Sequence, residues 1–359
     1  MEGQAPSIVV FSRGRPHRLR RLFAYHARYP GQVIVMDGSP QRLEVAALPP
    51  NAEYHHLPDA PIYRRIAEGM ARATAPTCCL AADDDYVVHE GLLECSRVIL
   101  ADPSVSTACG TIVYFVPDDP QGARAAADGA VERHLDLPDA DAPSERFACF
   151  LRLEPQVFYG CMRTETAQRV AAILGDLSDD EALVGEQLRN ALPSLFGHCR
   201  MVHRLQVCRR REITDYGWYL GTFRALEDIA EWPRFAEMSS RVRALARQAG
   251  ADDHRADAVI EAWRSFAAAT RRGRRSWKAR RFSWQDRSRR AERNVRASVA
   301  VAIKPSAWFD ALSRRVVRDV AVRATLRSSA YPWSDPAARA DYARIMAFDA
   351  QQAAPAEAT

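Results

Sequence analysis

The feature that most constrains the fold is the alternation of short apolar runs with helix-like segments over the first 115 residues. The runs that have the length of buried strands are 7–11, 33–36, 78–82 and 107–115, and residues 53–57 could form a further short strand. The segments with helical spacing of apolar residues are 15–28, 60–73 and 90–100. Strands that alternate with helices of 10 to 15 residues predict a parallel sheet with helices on both faces.

The rest of the chain changes character twice. Residues 117–146 contain eight acidic residues and no apolar period, which predicts a flexible surface loop. A helix is predicted from Asp180 to Leu195, and the chain reads as all-helical later on. We therefore expect an α/β domain over 1–232, a basic helical domain over 233–348 and a disordered tail over 349–359.

The composition is that of a globular protein. With 47% apolar residues among 359, the chain has enough apolar surface to exclude a mostly disordered protein. It contains no apolar run of about 20 residues and no signal-peptide pattern, so we expect a cytoplasmic protein. The eight cysteines include no Cys-x-x-Cys pair, which favours buried thiols in a reducing cytosol over disulfides or a zinc site.

The net charge of +5 hides an uneven distribution. Residues 271–327 contain 18 basic and four acidic residues, which leaves a net charge of −9 for the rest of the chain. Trp277, Phe282 and Trp284 lie among these basic residues. Three partners fit such a surface: the acidic remainder of the chain, the inner face of an anionic membrane, and nucleic acid. Nucleic acid is the least favoured, because the sequence contains no nucleic-acid-binding signature.

Three carboxylates in succession, Asp83, Asp84 and Asp85, follow a buried strand. Adjacent carboxylates repel one another by about 1 kcal/mol or more per pair at partly exposed spacing. A divalent cation would compensate, because Mg²⁺ binds through one or two carboxylates together with substrate phosphates. Ligands of open α/β sheets bind outside the carboxyl ends of the strands. The alternative is a solvated acidic turn that caps the next helix.

Two further motifs follow earlier strands. Ser12-Arg13-Gly14-Arg15 comes after the first strand and Asp37-Gly38-Ser39 after the second, at the same predicted edge as the three aspartates. With these three motifs in order, the chain resembles the nucleotide-sugar glycosyltransferases of the GT-A fold, of the family-2 type found among bacterial polysaccharide enzymes. The resemblance covers residues 7–115 well and 150–212 loosely. It implies a GT-A-like, mostly parallel, Rossmann-like sheet flanked by helices and followed by a C-terminal helical domain.

The resemblance also implies roles for single residues. Asp37 would contact the nucleotide base or ribose, and Asp83 would approach the ribose. Asp85 would ligate a Mn²⁺ or Mg²⁺ ion that bridges the donor diphosphate. The residues that complete the implied donor and metal sites are Ser12, Arg13, Arg65 and Asp84 for the donor, and Asp83 and His203 for the metal. The chain departs from the family by having a single Asp after the second strand. For Arg65 and His203, a structural or solvated role is the alternative.

An inverting transferase needs a carboxylate that deprotonates the acceptor hydroxyl. The family pattern of Gly-Glu-Asp followed by Arg and Gly has its counterpart in residues 185–189 and Gly197. Gln187 occupies the position most often used as the base and cannot accept the proton. The resemblance therefore implies Glu186 as the base, with Asp180 and Glu181 next. Alternatively, Ser178 to Glu181 is a capping box that begins a helix.

The expected function is metal-dependent transfer of a sugar, with inversion, from a nucleoside-diphosphate donor to a hydroxyl of a glycan or lipid-linked acceptor. Arg209 to Arg211 could hold the departing diphosphate, or form a solvated strand end. A nucleotidyltransferase is one alternative, although it would normally have a Gly-rich loop after the first strand, where this chain has only Gly14. The other alternative is a non-catalytic adaptor that binds membrane or nucleic acid through residues 271–327.

Overall fold

The computed structural model describes residues 5–44, 48–115, 126–127, 142–153, 157–210, 232–266 and 335–353. Most of the loop predicted over 117–146 lies outside these residues, and all of the basic region 271–327 does. The described helix that begins at Pro143 overlaps the end of that predicted loop.

The strands are β1 Ser7–Ser12, β2 Val33–Asp37, β3 Ala52–His56, β4 Thr77–Ala82, β5 Tyr86–Val87, β6 Val105–Phe115, β7 Ala126–Ala127, β8 Cys161–Arg163 and β9 His198–Arg210. The helices are α1 Pro16–His26, α2 Ile62–Arg72, α3 His89–Ala101, α4 Pro143–Leu153, α5 Thr164–Leu174, α6 Ala182–Ala191, α7 Phe235–Gln248, α8 253–266 and α9 Pro336–Ala353. Short 3₁₀ turns, Asp179–Glu181 and Leu192–Leu195, flank α6. Every strand and helix predicted in the first 115 residues is present.

The described strands form one sheet in the order β3-β2-β1-β4-β8-β6-β9-β5, and β7 pairs with β6. Strands β1 to β4 are mutually parallel, and β9 is parallel to β6. Because β8 is antiparallel to both β4 and β6, the six long strands run in one direction and only the short β5, β7 and β8 oppose them. The predicted fold class, a mostly parallel sheet flanked by helices, is confirmed.

Alternate residues of the buried strands face opposite layers, as the two-residue period of a strand requires. Ile8 and Val10 of β1 pack with α1 and α3, whereas Val9 packs with α2 and the helices on the opposite face. The same alternation continues in β2 and β4. Strands that are covered on both faces need apolar residues at every position, which explains why these segments are continuous apolar runs.

The helices after residue 232 share the core of the sheet. Phe235, Val242 and Trp263 lie in the same apolar cluster as Val9 and Leu80. Helix α9 packs against β5 and β9 on the other side. It continues past residue 349, where the disordered tail was predicted to begin, as far as Ala353.

No helix among the described residues is long and apolar enough to cross a membrane. All eight cysteines lie in the part of the chain that the structure describes, where each is a buried free thiol. This confirms the expectation of buried thiols.

Helix α3 begins directly after β5 and is in contact with the backbone of β9. At Gly91 an added Cβ would lie 1.9 Å from the carbonyl oxygen of Leu205. A backbone oxygen inside a sheet cannot move aside as the end of a flexible side chain can. Only glycine therefore allows α3 to approach β9 this closely.

We predict that Gly91→Ala lowers the free energy of unfolding by about 3 kcal/mol, because the methyl group forces α3 away from β9. Urea denaturation followed by circular dichroism measures this loss. Arg97→Ala, on the exposed side of the same helix, should change the unfolding free energy by about 0.5 kcal/mol or less. Equal effects of the two substitutions would contradict the packing described here.

Candidate functional site

Asp83, Asp84 and Asp85 form a turn, called the aspartate turn below, at the carboxyl end of β4. Asp83 and Asp85 are 2% and 6% exposed, so their carboxyl groups are largely removed from water. In the sheet Ser12 pairs with Asp37, and Phe11 pairs with Ala82 just before the turn. The parallel register therefore brings the ends of β1, β2 and β4 to one edge of the sheet, as the sequence predicted.

Arginines of the first helix region neutralise the first two aspartates. Arg15 Nη1 lies 3.1 Å from both Asp83 Oδ1 and Asp84 Oδ2. Arg18 Nη1 donates to Asp84 Oδ2 at 2.7 Å, and the Ser12 hydroxyl donates to Asp83 Oδ2 at 2.6 Å. Burial raises the pKa of Asp83, while the bonds from Ser12 and Arg15 oppose this shift.

Asp85 faces the end of β9. Its Oδ1 accepts from the backbone N–H of Arg210 at 3.0 Å, and its Oδ2 lies 3.6 Å from Arg209 Nε. Burial raises the pKa of Asp85 to about 7, with Asp84 adding to the shift and Arg209 and Tyr159 opposing it. A carboxyl group that titrates near neutrality responds strongly to any cation placed beside it.

Asp37 holds the turn that follows β2. Its Oδ1 accepts from the backbone and hydroxyl of Ser39, and its Oδ2 accepts from the Tyr54 hydroxyl at 2.7 Å. The Ser39 hydroxyl in turn accepts from the N–H of Gly14, which has the positive φ of +70° that favours glycine. The turns after β1 and β2 are therefore linked through Asp37, which is 1% exposed.

The two arginines assigned to the donor site have different surroundings. Arg65 is buried and donates to the carbonyl oxygens of Ser12 and Ala60, and burial lowers its pKa. Arg13 is exposed and donates to Asp179 Oδ2 at 2.7 Å. Arg65 thus anchors the end of β1 from inside the fold, whereas Arg13 lies at the surface of the same edge.

Glu186 lies on α6, and its carboxylate is within the electrostatic influence of Arg209. Burial raises the pKa of Glu186, and the charge of Arg209 opposes the shift. No group in the described part of the chain donates a hydrogen bond to its carboxylate, which is half-buried. The Arg209 guanidinium also lies 5.1 Å from the centre of the Tyr159 ring, and its charge acts on both Asp85 and Glu186.

The other two candidate bases lie in the 3₁₀ turn before α6. Asp180 is exposed. Glu181 forms the capping box with Ser178, as the alternative interpretation of the sequence predicted. Its Oε1 also accepts from Trp232 Nε1 at 2.9 Å, and its Oε2 accepts from Arg234 Nη1 at 3.1 Å. Both oxygens of Glu181 are thus engaged in holding the turn.

The structure does not bring His203 to the aspartate turn. His203 is exposed and lines a surface depression with Glu90, Glu94 and Arg97 of α3. Leu205 pairs with Thr111 and Arg209 with Tyr114, so about 10 Å of strand already separates Leu205 from Arg209. Because His203 lies further back along β9, it cannot share a cation with Asp85 in this arrangement.

Among the described residues, no three His, Cys, Asp or Glu side chains converge as a preformed metal site. The chemistry of the aspartate turn nevertheless fits a hard divalent cation, because its donors are carboxylate oxygens. Arg15 Nη1 already bridges Asp83 and Asp84, which shows that these carboxylates attract a shared positive charge. Such a cation would need substrate phosphates to complete its ligands.

Sequence reasoning missed Arg15 and Arg18 as partners of the aspartates, and it missed Tyr159. Arg15 immediately precedes α1 and Arg18 lies in its first turn. Their spacing of three residues was an available signal that both lie on one side of the start of this helix. Tyr159 offered no such signal, because it follows a segment of weak pattern and meets Asp85 only through the insertion of β8 into the sheet.

No protein-family model and no curated protein matches this chain. Among solved structures, the chain is similar to residues 1–349 of S. aureus TarS in complex with UDP-GlcNAc. That similarity has a TM-score of 0.44 and 12% identity, and covers 71% of this chain and 70% of the other. For another structure of S. aureus TarS the TM-score is 0.38 at 12% identity, covering 67% and 43%.

We compare the free energy of unfolding of Asp85→Asn with that of wild type. We predict that the difference, variant minus wild type, is more positive at pH 8 than at pH 4. The folded protein binds the Asp85 proton up to about pH 7, whereas the unfolded chain releases it near 3.8. The contribution of Asp85 to the stability of wild type therefore falls as pH rises between these values, by about 1.4 kcal/mol per pH unit at most.

Urea denaturation of both proteins from pH 4 to pH 8 measures this difference. Asp59→Asn, which removes an exposed carboxylate, is the matched control and should differ little from wild type over the same range. A difference between Asp85→Asn and wild type that does not grow with pH would contradict the burial of a protonatable Asp85.

Proposed function

We propose that this chain is a glycosyltransferase that moves a sugar from a nucleoside-diphosphate donor to a hydroxyl group. The observation that carries the proposal is the meeting of Ser12, Asp37 and the aspartate turn at the carboxyl edge of the parallel strands. Arg209 lies beside Asp85, and its charge acts on Glu186. Ligand sites of open α/β sheets lie at this edge.

In this proposal the nucleoside lies over the ends of β1 and β2, and the diphosphate lies at the aspartate turn. Asp37 shapes the nucleoside end through the Ser39 turn, and Asp83 faces the ribose. Arg13 and Arg15 are partly exposed at this edge, so each could exchange its carboxylate partner for a phosphate oxygen. Arg65 supports this end of the site from below by holding the Ser12 carbonyl.

Asp85, with Asp83, would hold a Mn²⁺ or Mg²⁺ ion. When bound, such an ion supplies positive charge to the departing diphosphate. Arg209 would help to neutralise the negative charge of the departing diphosphate from the protein side, because it lies beside Asp85. Stabilising charge that develops on a leaving group lowers the barrier more than binding the intact donor does.

Glu186 is the proposed general base. Burial raises its pKa toward the range in which a carboxylate takes up a proton efficiently, and it keeps no internal hydrogen bond among the described residues that would have to break. Direct displacement assisted by this base would invert the anomeric centre. We propose a glycan or a lipid-linked molecule as the acceptor, at the inner face of the membrane or in the cytoplasm.

We predict that one nucleoside diphosphate raises the melting temperature of the protein, and that the shift is larger with Mn²⁺ than with EDTA. Ligand present at 100 times its dissociation constant stabilises the fold by about 2.7 kcal/mol, or several degrees. A thermal-shift panel of UDP, GDP, CDP and ADP measures this. Asp83→Asn and Asp85→Asn should reduce the shift, whereas Asp59→Asn should keep it.

A panel in which no diphosphate shifts the melting temperature would contradict the proposal. Stabilisation and turnover of a nucleoside triphosphate alone would favour a nucleotidyltransferase instead.

We predict that Glu186→Gln lowers turnover of the matching sugar nucleotide by about 10²- to 10⁴-fold and leaves nucleotide affinity unchanged. Glutamine keeps the shape of the side chain but cannot accept the acceptor proton. Release of the nucleoside diphosphate measures turnover, and calorimetry measures affinity. Asp180→Asn is the matched control and should retain turnover, since Asp180 is exposed in the turn before α6. If Glu186→Gln retains activity, Glu186 is not the general base.

A further inference from the structure

A buried carboxylate near the end of α9 joins three elements that are distant in the sequence. Asp349 is 3% exposed. Its Oδ1 accepts hydrogen bonds from Arg21 Nη1 at 2.9 Å, from the Tyr86 hydroxyl at 2.6 Å and from Arg210 Nη1 at 3.0 Å. These groups belong to α1, β5 and β9. We refer to Asp349, Arg21, Tyr86 and Arg210 as the Asp349 cluster.

Each partner of Asp349 is also attached to the aspartate turn. Tyr86 follows Asp85 directly in the chain. Arg21 Nη2 donates to the carbonyl oxygen of Asp84 at 3.4 Å, and the backbone N–H of Arg210 donates to Asp85 Oδ1 at 3.0 Å. The carboxylate of Asp349 therefore reaches the aspartate turn along three separate routes.

Apolar packing brings α9 to this position. Residues one or two turns apart on α9 pack against β5, β6 and β9; they are Ala338, Tyr342, Ile345 and Met346. Asp349 continues the same stripe by one further turn. A carboxylate buried at the end of an apolar stripe is costly unless it is paired. Its two guanidinium partners meet that cost and make its placement specific.

We propose that Asp349 is a positioning residue for the donor diphosphate: it holds the aspartate turn and the end of β9 together from behind, which makes the C-terminal helix part of the donor site. This inference rests on the proposed function. Asp349 acts through Arg21, Tyr86 and Arg210 and needs no contact with the donor.

The same helix offers a matched control. Asp341 is also 3% exposed and lies eight residues earlier on α9. It pairs with Arg344, which also lies 3.4 Å from Glu90, and none of its described contacts reaches the aspartate turn. Asp341→Asn and Asp349→Asn remove equally buried charges from one helix. Asp341 pairs with a single, largely exposed arginine, whereas Asp349 accepts from three groups that lead to the aspartate turn.

The first measurement is hydrogen exchange of the nucleotide-free protein. Asp349→Asn should raise amide exchange in residues 83–88 and 207–210 about 10-fold, because the turn loses a charged anchor. Asp341→Asn should leave these segments as in wild type. Unchanged exchange in Asp349→Asn, or an equal rise in both variants, would overturn the inference, because Asp349 would then only support the helix.

The second measurement separates a phosphate-specific effect from general loosening. UDP, GDP, CDP, ADP and their four nucleosides are titrated with Mn²⁺ by calorimetry or ligand-observed NMR. Asp349→Asn should lower the affinity for the diphosphate that wild type selects by about 10-fold, and it should leave the affinity for the corresponding nucleoside unchanged. Asp341→Asn should alter neither, and Tyr86→Phe should show a smaller loss of the same kind.

Equal weakening of diphosphate and nucleoside, or no weakening of either, would overturn the inference while the proposed function stands. If wild type binds none of the four diphosphates, the proposed function itself fails, and the role of Asp349 at a donor site fails with it.

Discussion

Three successive carboxylates can end a buried strand here because guanidinium groups from two other elements face them. Arg15 and Arg18 neutralise Asp83 and Asp84 from the start of α1, and Arg209 approaches Asp85 from the end of β9. Isolated charges at this burial would be costly. The charge pairing thus ties the position of α1 and β9 to the aspartate turn, and the edge of the sheet is organised around it.

The parallel register places this charge pairing beside the ends of the neighbouring strands. Strands that start at one edge and end at the other bring Ser12, Asp37 and the aspartate turn together, although more than 70 residues separate the first from the last. The candidate bases Glu181 and Glu186 then differ in their hydrogen bonds. Glu181 is fixed by its capping box and by Trp232 and Arg234, whereas Glu186 stays half-buried near Arg209. One acidic segment thus contains a carboxylate whose two oxygens are both hydrogen-bonded and another that accepts no hydrogen bond from the described residues.

The local part of this arrangement could be predicted from the sequence. Continuous apolar runs predicted β1, β2 and β4, and the polar motifs that follow them predicted one shared edge, because both depend on neighbours in the chain. The insertion of the three-residue β8 between β4 and β6 could not be predicted, since so short a strand has no period to detect. The Asp349 contacts were invisible for a different reason: they join residues 139 to 328 positions apart. The distance of His203 from Asp85 could not be predicted either, because it depends on strand register.

We propose that a nucleoside diphosphate binds with its phosphates at the aspartate turn. A crystal structure of the protein with the diphosphate and Mn²⁺ would locate the nucleotide. We expect the nucleoside over the ends of β1 and β2, and the phosphates within reach of Asp85, Arg15 and Arg209. A nucleotide bound elsewhere, with the aspartate turn still closed by Arg15 and Arg18, would contradict this proposal.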